Sequence, residues 1–428
     1  MAITRLNVQF QPEGRGTLGE YRVIVRDAQL VPIGMVDDYL SLEMVSKFND
    51  VGAWTLKINA GRYHAKLFQP GCGIAVYREG VTAPILSGPV QGIQKYWTVD
   101  TDSGDGALFI TGVDDNQLVA SRLAFPAPGN PADQQTRVSD SATDREAAYA
   151  LQSLIDWNAG SHSRSDRRPI NYATPNGSTW PYDHWGPKVP FSVRFDNLRD
   201  VVRPIAEAGQ LGWRNVYDPE SRSIRLETYR VQDRSDVVRF SPDLGNLKQI
   251  VYSQTAPKVT RVIVAAQGEG KDRWIKQYTD ADAEAYWGLI AEAFVDARDI
   301  PLVKGADGKA ALAAKTEEGT TVATAQATMD QRAAAALSEG QAVGNMQVYP
   351  IDTPTCTYGV HWRLGDKVTC LVDGTVHQDI VRQVTISDSA DGSTITPNIG
   401  NQGTDQPSNV FSEIKALWRR VNQLSTRM

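Results

Sequence analysis

The chain has 428 residues, 41% of them apolar and 22% charged, with ten tryptophans, which is enough apolar material for two to four domains with packed cores. Its formal charge of −6 gives no electrostatic ground for binding nucleic acid or an anionic membrane. Three cysteines, Cys72, Cys356 and Cys370, fall in no CxxC or metal-ligand spacing; Cys72 and Cys370 sit in strand-like segments and read as buried thiols rather than disulfides, of a chain made in a reducing cytoplasm.

The opening MAITRLNVQF has no signal-peptide hydrophobic region, and no apolar run approaches the length of a bilayer-spanning helix. Tyr21 to Arg26 alternates as a strand. The stretch Asp37 to Val90 is the richest in alternation. Leu40, Leu42 and Met44 alternate with Ser41 and Glu43. After the turn signal Asn49-Asp50-Val51-Gly52, Trp54, Leu56 and Ile58 alternate with Thr55 and Lys57. Period-two alternation broken by Gly, Pro and Asn predicts short antiparallel strands with one wet face. There is no room for crossover helices, so a small barrel or sandwich is expected. Ala107 to Val113 is a further strand. Asp114 and Asp115 then read as a helix N-cap, with a short helix through Gln117, Leu118 and Leu123 closing a first domain near residue 124.

Residues 125 to 142 read as a loop. Thr143 and Glu146 form a capping-box pattern before a helix with Ala147, Leu151, Leu154 and Ile155 on one face and Gly160 as its stop. The region 160 to 190 is irregular. It holds one compact basic cluster, Arg164, Arg167 and Arg168, read as a solvated loop rather than a polyanion site. It also holds Trp180, Tyr182 and Trp185, read as buried anchors rather than a sugar-stacking platform. Phe191 to Phe195 is a strand, and Asp196 is expected to cap a helix bearing Leu198, Val201, Val202 and Ile205, with Pro204 awkward in its interior. Strands around Trp213 to Tyr217 and Ile224 to Tyr229 follow, joined at Asp218-Pro219. Val259 to Ala265 is another strand. Asp280 or Asp282 then starts a helix expected to carry Tyr286, Ile290 and Phe294. A linker over 301 to 322 leads to an alanine-rich helix from Ala323 to Glu339. A second strand-rich unit runs from about Met346 to Gly400.

This second unit echoes the first. Gly71, Ile74, Val76, Gly80, Leu86 and Val90 have counterparts 294 positions later in Gly365, Val368, Cys370, Gly374, Ile380 and Val384. A repeated hairpin-rich unit follows. The last element is a heptad seam of Val410, Ile414, Leu417, Val421, Leu424 and Met428, β-branched at Ile414 and Val421 and Leu at Leu417 and Leu424. At about 1.5 Å per residue it is too short to be a secure coiled coil alone, but narrow enough to add to a larger oligomer interface.

Catalytic motifs do not emerge. His64, His162, His184, His361 and His377 are scattered, and HExxH, GxSxG and P-loop patterns are missing. Gly268-Glu269-Gly270 after a strand reads as a hairpin turn rather than a dinucleotide fingerprint. The reading is therefore no enzyme, no cofactor and no metal.

The runs DDYLSLEMVSKFNDVGAWTL, LFQPGCGIAVYREG, ILSGPV, VRFDNLRDVVRPIAEAGQLGW, DRSDVVRFSPDLGNLK, AYWGLIAEAFVDARD, RLGDKVTCLVDG and DIVRQVTI resemble, in order over most of the chain, the tail-tip hub (minor tail, baseplate-hub-like) proteins of long-tailed actinobacterial phages. Pro204 and the 160–190 loop fit that pattern least. The resemblance implies an α+β multidomain fold: two related small antiparallel β-barrel domains, two smaller α/β domains and a C-terminal coiled-coil helix. The implied division is 1–124 for the first barrel, 125–245 for an α/β domain, 246–275 with 346–402 for a second barrel, 276–345 for an inserted domain and 403–428 for the helix. It further implies a homotrimer in the virion tail tip, assembled in the host cytoplasm. Six related barrels would close or line the tube end, adapting a sixfold tube to a threefold tip. Its partners would be the distal tail protein ring, the tape measure end and distal fibre or receptor-binding proteins, with no sequence-specific nucleic-acid binding. The alternatives are a glycan- or receptor-binding tip protein, through the Trp180 to Trp185 loop, and a cell-wall hydrolase.

Overall fold

The computed structural model describes residues 21–400 apart from 80, 98–104, 143, 170–171, 174–181, 269, 271–272, 301, 305–309, 313–321, 342, 352, 354 and 373. The heptad seam from Val410 to Met428, Trp180 and Thr143 lie outside the described residues.

The alternating stretches become strands where expected. They are β1 (Tyr21–Arg26), β2 (Pro32–Val36), β3 (Ser41–Lys47), β4 (Ala53–Asn59), β5 (Gly73–Arg78), β6 (Leu86–Tyr96) and β7 (Ala107–Val113). In β4 the apolar members Trp54, Leu56 and Ile58 are fully buried while Thr55 and Lys57 are half-buried. One face therefore supplies the core and the other does not. A one-turn helix α1 (Gln117–Ala120) follows, then β8 (Leu123–Ala124), β9 (Asp140–Ala142), α2 (Ala147–Ala159), β10 (Tyr172–Ala173), β11 (Phe191–Val193), β12 (Asp196–Asn197), α3 (Leu198–Gly209), β13 (Leu211–Asp218) and β14 (Ser223–Arg230). The chain continues through β15 (Arg239–Phe240), β16 (Leu247–Thr255), β17 (Arg261–Ala265), β18 (Ile275–Thr279), α4 (Ala281–Trp287), β19 (Glu292–Asp296), β20 (Leu302–Lys304), β21 (Ala310–Leu312), α5 (Val322–Gly340), β22 (Val343–Pro350), β23 (Lys367–Val372), β24 (Thr375–Ser389) and β25 (Gly392–Ile399).

The fold is α+β and mostly β. The strand-rich ends of the chain do not form two closed barrels. They share a 13-stranded sheet with an open path, β2-β1-β5-β6-β7-β4-β3-β24-β25-β22-β16, with β23 on β24 and β15 on β23. The reason is a direct antiparallel join: β3 lies along β24 from Ser41 opposite Ser389 to Lys47 opposite Gln383. The buried side chains of both ends merge into one cluster that includes Tyr21, Trp54, Ile74, Phe240, Trp362 and Ile386.

The repeat is present as topology. The order β3-β4-β7-β6-β5-β1 at one end matches β16-β22-β25-β24-β23-β15 at the other. Strands β5 and β23 share bounds at the 294 spacing, and Gly71 and Gly365 both hold left-handed backbones, φ 87° and 90°. The spacing then slips. Gly73 lies opposite Pro89, whereas Lys367 lies opposite Ile380 and not Gln383. The slip falls in the hairpin loops, which need not keep length for the strands to match. Strands β1 and β5 pair antiparallel but β15 and β23 pair parallel, so the outermost strand does not repeat in direction.

Two further clusters of buried side chains complete the chain. Helices α2 and α3 pack with β13 and β14 around Leu151, Leu154, Val202, Trp213 and Leu226. Strands β18-β17-β19 pack with α5 around Val262, Val264, Met329 and Ala333. Strand β16 pairs with β22 across the intervening segment, from Leu247 opposite Pro350 to Thr255 opposite Val343. The chain changes sheets between Thr255 and Arg261, earlier than the boundary expected at 275, because β17 pairs with β18 and β19.

Several expected helix starts are corrected. Asn116, not Asp114 or Asp115, is the cap residue of α1, and Leu123 is in β8. Glu146 is the cap residue of α2 rather than the third residue of a capping box, and its carboxylate contacts His184 at 3.2 Å. Asn197, not Asp196, caps α3, accepting from Arg199 N–H at 3.0 Å. Asp280 caps α4, accepting from Ala283 N–H at 2.9 Å, but Gly288 ends it with φ 61°. Phe294 consequently stands in β19. Helix α3 runs through Pro204 to Gly209.

Candidate assembly surface

Eight strands, β6-β7-β4-β3-β24-β25-β22-β16, form a continuous ribbon, four from each end of the chain. Registered neighbours across strands project to the same side. One row runs Trp54, Met44, Ile386 and Ile395, and the next on that side includes Ile110, Leu56 and Leu42; these face the core. The opposite side carries Thr111, Thr55, Glu43, Ser387 and Thr394 in one row, and Val45, Thr385 and Thr396 in another. Glu43, Thr55, Ser387, Thr385 and Thr396 are only half-buried and Thr394 is exposed. This wall is hydroxyl-rich, with Glu43 and Lys57 as partly exposed charges.

The ribbon is held to the α2/α3 unit by a buried polar junction. Asn49 sits in the β3–β4 turn with φ 55°, a backbone that Asn tolerates better than most residues. Its Oδ1 accepts from Trp213 N–H at 2.9 Å and its Nδ2 donates to Leu211 C=O at 2.9 Å. Asn116 donates to Asp50 C=O at 2.8 Å and accepts from Asn215 N–H at 2.8 Å. Asn215 Nδ2 donates to Asp115 C=O at 3.1 Å. The Asp115 carboxylate is fully buried and takes Arg26 Nη2 and Ser87 Oγ, each at 2.5 Å. The Arg26 guanidinium also lies 4.7 Å over the Tyr217 ring, and Tyr217 donates to Leu30 C=O at 2.8 Å. Arg199 and Arg203 on α3 each reach Asp50 at 3.4 Å. Asp114 Oδ1 accepts from Asn116 N–H at 3.1 Å; burial pushes its carboxyl up to about 8, helped by Asp115 and Asp50 and opposed by the Gly52 and Asn116 backbone donors. A second polar clasp lies at the middle of the ribbon, where β3 meets β24: the buried Tyr39 hydroxyl donates to Asp388 on β24. Burial, first, and that carboxylate raise the Tyr39 hydroxyl pKa.

The other residues singled out in the sequence are occupied structurally. Arg164 pairs with Asp166 at 2.7 Å, Arg167 donates to Leu123 C=O over the Phe125 ring, and Arg168 donates to Ser163 C=O, so the three do not converge on one site. Tyr182 is buried and donates to Asp156 at 2.7 Å, where His162 Nδ1 also binds at 2.6 Å. Trp185 packs partly buried on the α2/α3 core under Arg230. Gly268 and Gly270 fall between antiparallel β17 and β18, the expected hairpin. The three cysteines are buried and not disulfide-bonded, and burial pushes the Cys370 thiol up to about 12. Among the described residues, Asp37, Asp38 and His64 offer ligand atoms within 4.8 Å of one another. His64 Nδ1 is already 2.9 Å from Asp38, and Arg62 at 3.6 Å supplies the counter-charge a cation would. Sequence reasoning missed Arg26, Asn116, Asn215 and Asp388, whose partners lie tens to hundreds of positions away. For Asn49 it identified only the turn.

The fold is similar to that of solved phage tail proteins. The 43 kDa tail protein of prophage MuSo2 from Shewanella oneidensis matches at TM-score 0.51 and 10% identity, over 88% of this chain and 98% of that one. A tail protein from Neisseria meningitidis MC58 matches at TM-score 0.51 and 14% identity, over 90% and 97%. No curated protein matches the sequence. The family model of the Siphovirus ReqiPepy6 Gp37-like proteins matches residues 22–401, and the chain belongs to that family.

Proposed function

We propose that this chain is the structural hub of a phage tail tip, a homotrimer that closes or lines the end of the tail tube. The observation that carries the reading is the ribbon. It joins the two related ends of one chain into eight strands with an apolar wall against the core and a Ser/Thr wall half-open to solvent. A ring of such ribbons offers a wetted, weakly charged inner wall, and its repeated halves give each chain two similar docking units. Three chains then present six units to a sixfold ring above, the distal tail proteins, and threefold symmetry to a fibre or receptor-binding protein below. The tape measure end would sit at the same axis.

In this reading the chain divides into a first strand unit up to about 124, the α2/α3 unit to about 230, a second strand unit built from β15, β16 and β22–β25, and an inserted unit over 258–340. The seam Val410, Ile414, Leu417, Val421, Leu424 and Met428 lies on the threefold axis. The chain acts by assembly in the virion and not by catalysis. Gold-labelled antibodies raised against the purified chain should decorate particles at the distal end of the tail alone. Label along the tail tube, or on purified lateral fibres, overturns the placement.

A further inference from the structure

We propose that the open apolar face of the β18-β17-β19 sheet is a dock for the chain's own terminal segment, which covers it with Phe411 and Trp418. These two residues lie beside the heptad seam and not in it, so the proposal stands whether or not the seam occupies a threefold axis.

The sheet has two unlike sides. Val262 and Val264 pack with Met329 and Ala333 of α5, and on that same side Lys276 and the Tyr278 hydroxyl both bond Asp330 of the helix. Arg261, Ile263 and Ala265 alternate to the other side. Phe294 on β19 is registered with Ile263, and Ile275 on β18 with Ala265. Phe294 is 58% exposed and Ile275 52%. Helix α4 reaches this side at one end, where Glu284 accepts from Arg261 Nε at 2.6 Å. Tyr286 of that helix and Ile290 after it are exposed as well. Among the described residues the inserted unit therefore leaves a cluster of apolar side chains in water, and a contiguous patch of this kind marks a docking surface.

The path of the chain names the occupant. Strand β25 runs antiparallel to β22, with Ile399 opposite Met346. Beyond Gly400 that direction leads towards Val343, where β22 begins just after α5. Gly340, the last residue of α5, accepts at its C=O from the N–H groups of Lys258 and Val259, just before β17. The chain thus leaves the ribbon at the root of the inserted unit. Residues 401–409 can span roughly 30 Å when extended, more than the length of a five-residue strand. The residues before Tyr21 enter instead at β1, in the other strand unit.

The sequence of the segment suits the face. Phe411, Lys415 and Trp418 are spaced four and three, which puts them on one helical stripe next to the seam of Val410, Ile414 and Leu417. The stripe brings two aromatic rings and a cation. Glu292, on the same side of the sheet as Phe294, and Asp282 on α4 are exposed and supply an acidic rim for Lys415 and Arg419.

The test is amide hydrogen exchange of the purified full chain, of the chain ending at Gly400, and of the full chain carrying Phe411→Ser and Trp418→Ser. Exchange over 273–279 and 288–296 should be about tenfold faster in the last two than in the first, with 147–159 in α2 unchanged. Light scattering on the same samples separates this result from the hub reading. A double variant that stays trimeric and loses the protection supports the dock. Equal exchange in all three proteins overturns it, whatever the oligomeric state. Protection that survives both changes, or that vanishes on dilution wherever the chain becomes monomeric, assigns the face to another copy and also overturns it. A monomeric full chain with the protection intact keeps the dock while the trimer fails.

Discussion

The side chain of Asn49 accepts a hydrogen bond from the backbone N–H of Trp213, 164 positions away, at 2.9 Å. With its second bond to Leu211 C=O, the amide closes the turn after β3 onto the first residues of β13. Both partners are buried, so truncation strands a donor and an acceptor where water does not reach. Asn49→Ala should cost roughly 2–4 kcal/mol, read as a lower urea midpoint. Asn49→Asp keeps an acceptor for Trp213 but loses the donor to Leu211, and should fall between.

Gly112 on β7 leaves room for the Trp54 ring. A Cβ there would sit 2.3 Å from Trp54 Cζ2 and 2.3 Å from Pro89 C=O. Gly112→Ala should destabilise by about 3 kcal/mol through forced repacking, visible as a fall in thermal midpoint. A neutral outcome would mean that the strand pair can separate at this point.

Asp114 sets a pH dependence at the junction. Its carboxyl is raised from the ordinary 3.8 to about 8. Between those values the folded chain holds a proton that the unfolded chain has lost, so stability falls as pH rises through the window, on the order of 1 kcal/mol per unit. Asp114→Asn should flatten that fall. Urea midpoints at pH 5 and pH 8 differing by the same amount in both proteins would contradict the assignment.

The inserted unit should respond in the opposite direction. Hydrogen bonds from Arg332 to Asp299 and from Arg261 to Glu284 hold both carboxyls below their ordinary 3.8 and 4.5. The stability they add is present above those values and is lost as pH falls through them. The Asp299 pair is largely exposed, so Arg332→Gln should cost less than about 1 kcal/mol. Pepsin should then cut within 258–340 at a slightly higher pH in the variant than in the parent.

What was readable in the sequence was local. Alternation such as Trp54-Leu56-Ile58 marked strands because the period of a strand is written in adjacent residues. The turn glycines Gly71 and Gly365 marked the repeat because left-handed backbone selects for glycine. What was not readable was long-range. Asp115 reads as a helix cap because a capping acid and a buried ion-pair acid are the same residue type, and Arg26 lies 89 positions away. Phe294 reads as helical because its spacing from Tyr286 and Ile290 fits a helix, yet Gly288 stops α4 first. The join of β3 to β24 makes an open ribbon of two expected barrels, and strand partners so far apart in the chain leave no local signature.

The most direct test of the account is the mass of the purified full chain by light scattering, with and without residues 403–428. A trimer for the full chain, weakened or lost on truncation, is the predicted result, placing Val410 to Met428 at the axis. A chain that stays monomeric at every concentration, alone and with the isolated distal tail ring, would contradict the hub.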